Sequence, residues 1–86
     1  MSGSGYTYVA TNKVCQDSSF AEAPLLTSTG PAWHHTNVND CKMECDYTDS
    51  CVAFAWWDNS ECRTYTECDT RGGTETNNLV FTKNAY

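Results

Sequence analysis

Bases are scarce in this chain, and so are long apolar runs and histidines. Five Lys and Arg stand against eleven Asp and Glu, a net charge of −6 at pH 7, and Lys13, Lys42, Arg63, Arg71 and Lys83 are scattered singly. Such a chain repels polyanions at long range, so nucleic acid and acidic membrane surfaces are poor partners. The longest apolar run, CVAFAWW at 51–57, has seven residues, far short of the roughly 20 needed to span a bilayer, and no membrane insertion is expected. No internal repeat, low-complexity block or Asn-X-Ser/Thr acceptor is present.

Catalytic and metal-binding patterns are equally thin. The only histidines, His34 and His35, have no GxSxG elbow or cysteine nucleophile setting beside them and read as surface or edge-strand residues, so no enzyme is expected. Zinc held by Cys41, Cys45 and the histidines is weaker than a disulfide reading, because Cys-x3-Cys lies among four further cysteines. The acid pairs Asp46 with Asp49 and Glu67 with Asp69 lack the calcium-loop spacing and read as solvated surface. No cofactor is implied.

What is abundant is cysteine: six in 86 residues. A chain this short makes one domain with a modest core, and an even cysteine count points to an oxidising compartment and a disulfide framework, hence a secreted protein. Six cysteines allow about fifteen pairings. MSGSG at 1–5 has neither the charged start nor the apolar stretch of a signal peptide and reads as an appended, non-native segment. Residues 6–86 then form a single domain, expected to be a module excised from a larger secreted protein.

The stretch 37–67, NVNDCKMECDYTDSCVAFAWWDNSECRTYTE, holds four of the cysteines. Asn37 reads as a helix N-cap, with Asp40 as capping partner, for a helix over 38–48. At about 100° per residue, Val38, Cys41, Cys45 and Thr48 share one narrow arc. The β-branched and aromatic run 51–57, the turn formers Asp58, Asn59 and Ser60, and the run 61–67 predict a hairpin. Antiparallel passage from helix to strand places Cys45 next to Cys51. Cys41, about 6 Å further along the helix, then faces Cys62. If Cys51 and Cys62 both face the helix, Ala53, Ala55 and Trp57 face it too, around a two-residue loop of Asp58 and Asn59. Val52, Phe54 and Trp56 would then point away.

CKMEC, five residues, CVAFAW and then EC resemble the centre of a PAN/apple domain. The resemblance covers 36–65 closely and implies an α+β fold: a disulfide-rich antiparallel β-sheet crossed by a single α-helix. It implies two disulfides joining helix to sheet, Cys41 to Cys62 and Cys45 to Cys51, and a third joining Cys15 to Cys68. Apple domains place their last cysteine near the domain end, whereas here eighteen residues follow Cys68.

Outside the motif, 6–10 reads as a first strand bordering the sheet, 18–23 as a possible short strand, 27–31 as a turn and 31–36 as a short strand. Residues 69–78 read as an exposed loop and 79–83 as a terminal strand returning to the sheet interior. Among the aromatics, Trp33, Trp56, Trp57 and Tyr65 are expected mostly in the core. Met43 and Tyr47 lie opposite the helix cysteines and form the candidate ligand-binding pair unless a loop at 24–33 covers them.

The resemblance implies a non-catalytic extracellular module for protein or carbohydrate recognition, within a multidomain chain. The acidic, Thr-rich sequence looks most similar to apple modules of apicomplexan microneme adhesins, which act in host-cell attachment and invasion. The expected partners are a cell-surface glycan or protein receptor, or sibling extracellular domains, with secretion through an organelle such as the microneme. An alternative is the partner-docking apple module of a secreted protease zymogen. A small disulfide-rich inhibitor or toxin is the reading from a different class.

Overall fold

The computed structural model describes residues 5–29 and 37–84, with residues 27–29 described through their backbone alone. Its helix, α1 (Val38–Asp46), starts where the sequence supplies a cap. Asn37 is extended, and its side-chain oxygen accepts the Asp40 N–H at 3.0 Å. This satisfies one of the orphan donors of the first turn. The helix closes at Tyr47, whose N–H donates to the Met43 carbonyl at 3.0 Å. Cys41 and Cys45 are its buried residues.

The strands are β1 (Tyr6–Thr11), β2 (Val14–Gln16), β3 (Leu25–Thr29), β4 (Ala53–Trp57), β5 (Cys62–Tyr65), β6 (Thr70–Gly72) and β7 (Asn78–Lys83). Five form an antiparallel sheet in the order β1-β7-β4-β5-β3, while β2 pairs with β6 in a separate antiparallel ribbon. The fold is therefore α+β, with one helix among the described residues and three disulfides. β1 borders the sheet and β7 lies inside it, between β1 and β4. The residues after Cys68 thus supply a central strand and half of the ribbon.

The faces of the β4–β5 hairpin are the reverse of the sequence expectation. Trp56 pairs with Cys62 and Phe54 with Thr64, and directly opposed residues share a face. Phe54, Trp56 and Cys62 therefore cluster with Cys41, Cys45 and Cys51 on the helix side. Ala53, Ala55 and Trp57 join Val14, Cys15, Tyr65, Cys68 and Val80 on the other side, with Val52 packed against them. The cause is the turn. Trp57 N–H bonds Glu61 O at 2.9 Å, and Ser60 adopts φ 75°, so the loop has three residues, 58–60, and not two. Cys51 lies before β4 begins, where strand alternation does not bind it.

This arrangement makes two small cores. Under the helix, Phe54 stacks on Phe81 with centroids 5.0 Å apart, and Tyr6 meets Phe54 edge-on at 5.2 Å. On the opposite face, small Ala53 and Ala55 give room to the β2–β6 ribbon, whose Val14 and Cys15 are buried there. Cys41–Cys62 ties the helix to β5, Cys45–Cys51 ties it to the segment entering β4, and Cys15–Cys68 ties β2 to the segment between β5 and β6.

Three further expectations are corrected. Residues 18–23 form a turn followed by an isolated bridge between Gln16 and Glu22, because Asp17 captures the local N–H groups. Residues 27–29, read as the start of a turn, extend β3 along β5. The polar segment 69–78 contains β6, recruited by β2. The proposed strand at 31–36 lies outside the described residues.

Candidate recognition surfaces

The helix turns Cys41 and Cys45 inward, and this sends Met43 and Tyr47 outward. Tyr47 is 80 % exposed and Met43 39 %. Of the proposed covering loop, 25–29 instead forms the edge strand β3, and 30–33 lies outside the described residues. Beside the pair, Lys42 and Asp46 form an i,i+4 ion pair at 3.3 Å, and the Tyr6 hydroxyl donates to Asp46 Oδ1 at 2.8 Å. Burial, reinforced by the hydrogen bond and charge of Asp46, pushes the Tyr6 hydroxyl well above its usual pKa. Lys42 Nζ sits 5.6 Å from the Tyr6 ring centroid. The aromatic row continues outward from Phe81 to Tyr8, which meets it edge-on at 5.8 Å and is half-exposed.

A second display was missed in the sequence. After β2, Asp17 Oδ1 accepts from the Ser19 N–H at 2.8 Å, the Ser19 hydroxyl at 2.8 Å and the Ala21 N–H at 3.2 Å. The Ser19 hydroxyl foremost, then the two N–H groups, hold this carboxyl below its ordinary pKa. Across the same turn Asp17 N–H donates to Ala21 O at 2.8 Å. At its tip Phe20 adopts φ 66° and is 70 % exposed. A bulky residue in the left-handed region carries strain that its own packing does not repay. The signal available in the sequence was the Asp-Ser-Ser run, an Asx-turn pattern that a strand reading overlooks.

The remaining charges near the hairpin serve the frame. Arg63 reaches Glu61 at 2.7 Å and Glu22 at 2.8 Å, and its guanidinium lies 4.5 Å from the Trp57 ring centroid. Partial burial alone would lower the Arg63 pKa, but the hydrogen bonds and charges of both glutamates raise it. Tyr65 donates its hydroxyl to Glu22 at 2.9 Å, and burial first, then Glu22, pushes its pKa far up. His34, His35 and Trp33 lie outside the described residues. Among the described residues no three His, Cys, Asp or Glu side chains gather as metal ligands, and no helix is long and apolar enough to cross a membrane.

On the face opposite the helix, a cleft of about 530 Å³ opens between the β1–β7 end of the main sheet and the segment around Cys68 and β6. Thr7, Val9 and Thr82 form one wall, Cys68, Asp69 and Arg71 the other, with Lys83 and Asn84 at the end. The Thr7 hydroxyl donates to the Asn84 side-chain oxygen. Comparison with protein-family models, curated proteins and solved structures finds no match to this chain.

Proposed function

We propose that this chain is a non-catalytic extracellular recognition module of the PAN/apple type, acting in adhesion through contacts with a cell-surface glycan or protein. The observation that carries this reading is the outward display of large apolar side chains on a covalently fastened frame. Tyr47 and Met43 stand on a helix pinned to the sheet by Cys41–Cys62 and Cys45–Cys51. Rigid aromatics of this kind give contact area at small entropic cost. The CKMEC to EC resemblance supplies the family reading. The acidic, Thr-rich composition supplies the finer one, a module of a secreted microneme-type adhesin used in host-cell attachment and invasion. Three disulfides suit an oxidising, secretory route.

The test is binding of the intact, oxidised protein to host-cell surfaces and to arrays of neutral, sialylated and sulfated glycans, with Tyr47→Ala and Met43→Ala compared at equal thermal stability. Saturable binding that falls at least about tenfold in Tyr47→Ala, an interfacial aromatic's usual weight, is the expected result. Binding unchanged by both substitutions, or binding to sulfated polyanions that salt abolishes, would overturn it.

A further inference from the structure

The five bases of this acidic chain are not equally occupied. Arg63 is held by two glutamates and Lys42 by Asp46, while Lys13 Nζ donates to the Gly73 carbonyl at 3.4 Å. Arg71 and Lys83 have no ion pair among the described residues. Lys83 is opposed to Tyr6 in the β1–β7 register, and Tyr6 packs under the helix. Strand alternation starts the Lys83 side chain toward the helix face, at the edge of the cleft that this residue also lines. Arg71 is opposed to Cys15, which turns inward to meet Cys68. Opposed residues share a face, so Arg71 stands on the Cys15 side of the ribbon, where it lines the cleft of about 530 Å³.

The facing wall is rich in hydrogen-bonding groups. Thr7 and Thr82 are register partners on that face. Because the Thr7 hydroxyl donates to the Asn84 oxygen, the Asn84 amide N–H groups remain to donate outward. Val9 and Cys68 supply a small apolar patch.

We propose that this cleft is a binding site for a sugar bearing a single carboxylate, with Arg71 as the anchor. The planar guanidinium fork pairs bidentately with a carboxylate. Thr7, Thr82 and Asn84 bond the ring hydroxyls, and the C–H face of the ring lies on Val9. A polyanion does not suit the site, since Asp69 stands beside Arg71 and Lys83 in the lining and the chain carries −6 overall. One charge placed within about 8 Å of Arg71, a Debye length at physiological salt, gains the local attraction without the long-range repulsion. A peptide terminus suits it less, because Val9 is the one aliphatic side chain of the lining.

The experiment is an amide-shift NMR titration of the oxidised protein with methyl glucuronide and methyl glucoside, which differ at the carboxylate, and with acetate. Glucuronide is expected to give saturable shifts at Thr7, Arg71, Thr82 and Asn84, and to bind at least about tenfold more tightly than glucoside, the weight of one charge-assisted pair. Arg71→Gln, with its spectrum otherwise intact, should weaken glucuronide about tenfold or more, and Arg71→Lys should recover part of the loss. Equal binding of the two glycosides, or an unaltered titration in Arg71→Gln, overturns the site. Acetate binding as tightly as glucuronide overturns the sugar assignment. The cleft is separate from the helix surface, so Tyr47→Ala should leave this titration unchanged. A change there would refer the shifts to the helix and overturn the proposal.

Discussion

Removing each helix disulfide in turn asks what the clamp contributes. The perturbations are two double variants, Cys41→Ala with Cys62→Ala and Cys45→Ala with Cys51→Ala. All four residues are fully buried, at 0 % exposure, so the loss of sulfur packing is similar in the two variants and largely cancels in the comparison. What differs is the loop each bond closes, over separations of 21 and 6 residues. In the chain-entropy model these loops correspond to about 3 and about 2 kcal/mol of stabilisation, a difference of about 1 kcal/mol. Local structure adds to the difference in the same direction. Without the Cys45–Cys51 bond, the hydrogen bonds from Thr48 N–H to Cys45 O at 3.2 Å and from Cys51 N–H to Thr48 O at 2.9 Å still fold the connection. Without Cys41–Cys62, no covalent tie joins the helix to β5. Urea midpoints and thermal melts of the two variants measure the gap, and the Cys41/Cys62 variant should melt about 5 °C lower. Equal midpoints, or a less stable Cys45/Cys51 variant, would refute the loop-entropy reasoning.

Three more perturbations test the frame. Tyr65 and Tyr6 hold their protons above the ordinary pKa of 10.0 in the folded state. Stability is therefore intact below about pH 10, where the unfolded chain begins to ionise, and falls as pH rises further, by at most about 1.4 kcal/mol per pH unit from Tyr65 and less from the more exposed Tyr6. Urea midpoints across this range should decline, and Tyr65→Phe should flatten the decline; an unchanged slope sinks the assignment. Phe20→Gly relieves the left-handed backbone at φ 66° and should raise stability by about 0.5–1 kcal/mol after the added entropy of glycine; a lower melting temperature would mean that the ring packs. Thr64 Oγ1 is buried with no hydrogen-bond partner among the described residues, so Thr64→Val should gain about 1 kcal/mol, and a loss would mean that the hydroxyl is bonded.

The helix and the strands at its flanks were legible because their signals are local. Asn37 and Asp40 mark the start, Cys41 and Cys45 share one arc, and the runs 53–57 and 79–83 are dense in β-formers. The Arg71 cleft was not legible, since β2 and β6 are three residues each, too short for a period to show. They pair across more than fifty positions, as Cys15 with Arg71. The exposed Met43 and Tyr47 were readable from helical spacing. Phe20 was not, because its exposure follows from the Asp17 turn.

The inversion of the hairpin faces comes from a single residue. Asp58, Asn59 and Ser60 all read as turn formers, but Ser is an uncommon occupant of a positive φ, and placing Cys51 and Cys62 on one face by strand alternation called for a loop of two. One added loop residue moves every partner of β5 by one position and exchanges the faces of β4. Yet the exchange leaves Cys62 under the helix, because Cys62 moves with Phe54 and Trp56, the side chains that take the helix side. Cys51 can follow since it precedes β4. The small residues then serve the other layer: Ala53 and Ala55 admit the ribbon, whose Val14 and Cys15 are buried there. With Phe54 and Trp56 on that face there would be no room for β2 to approach. The same loop residue that sets the helix core thus determines which layer the two alanines face.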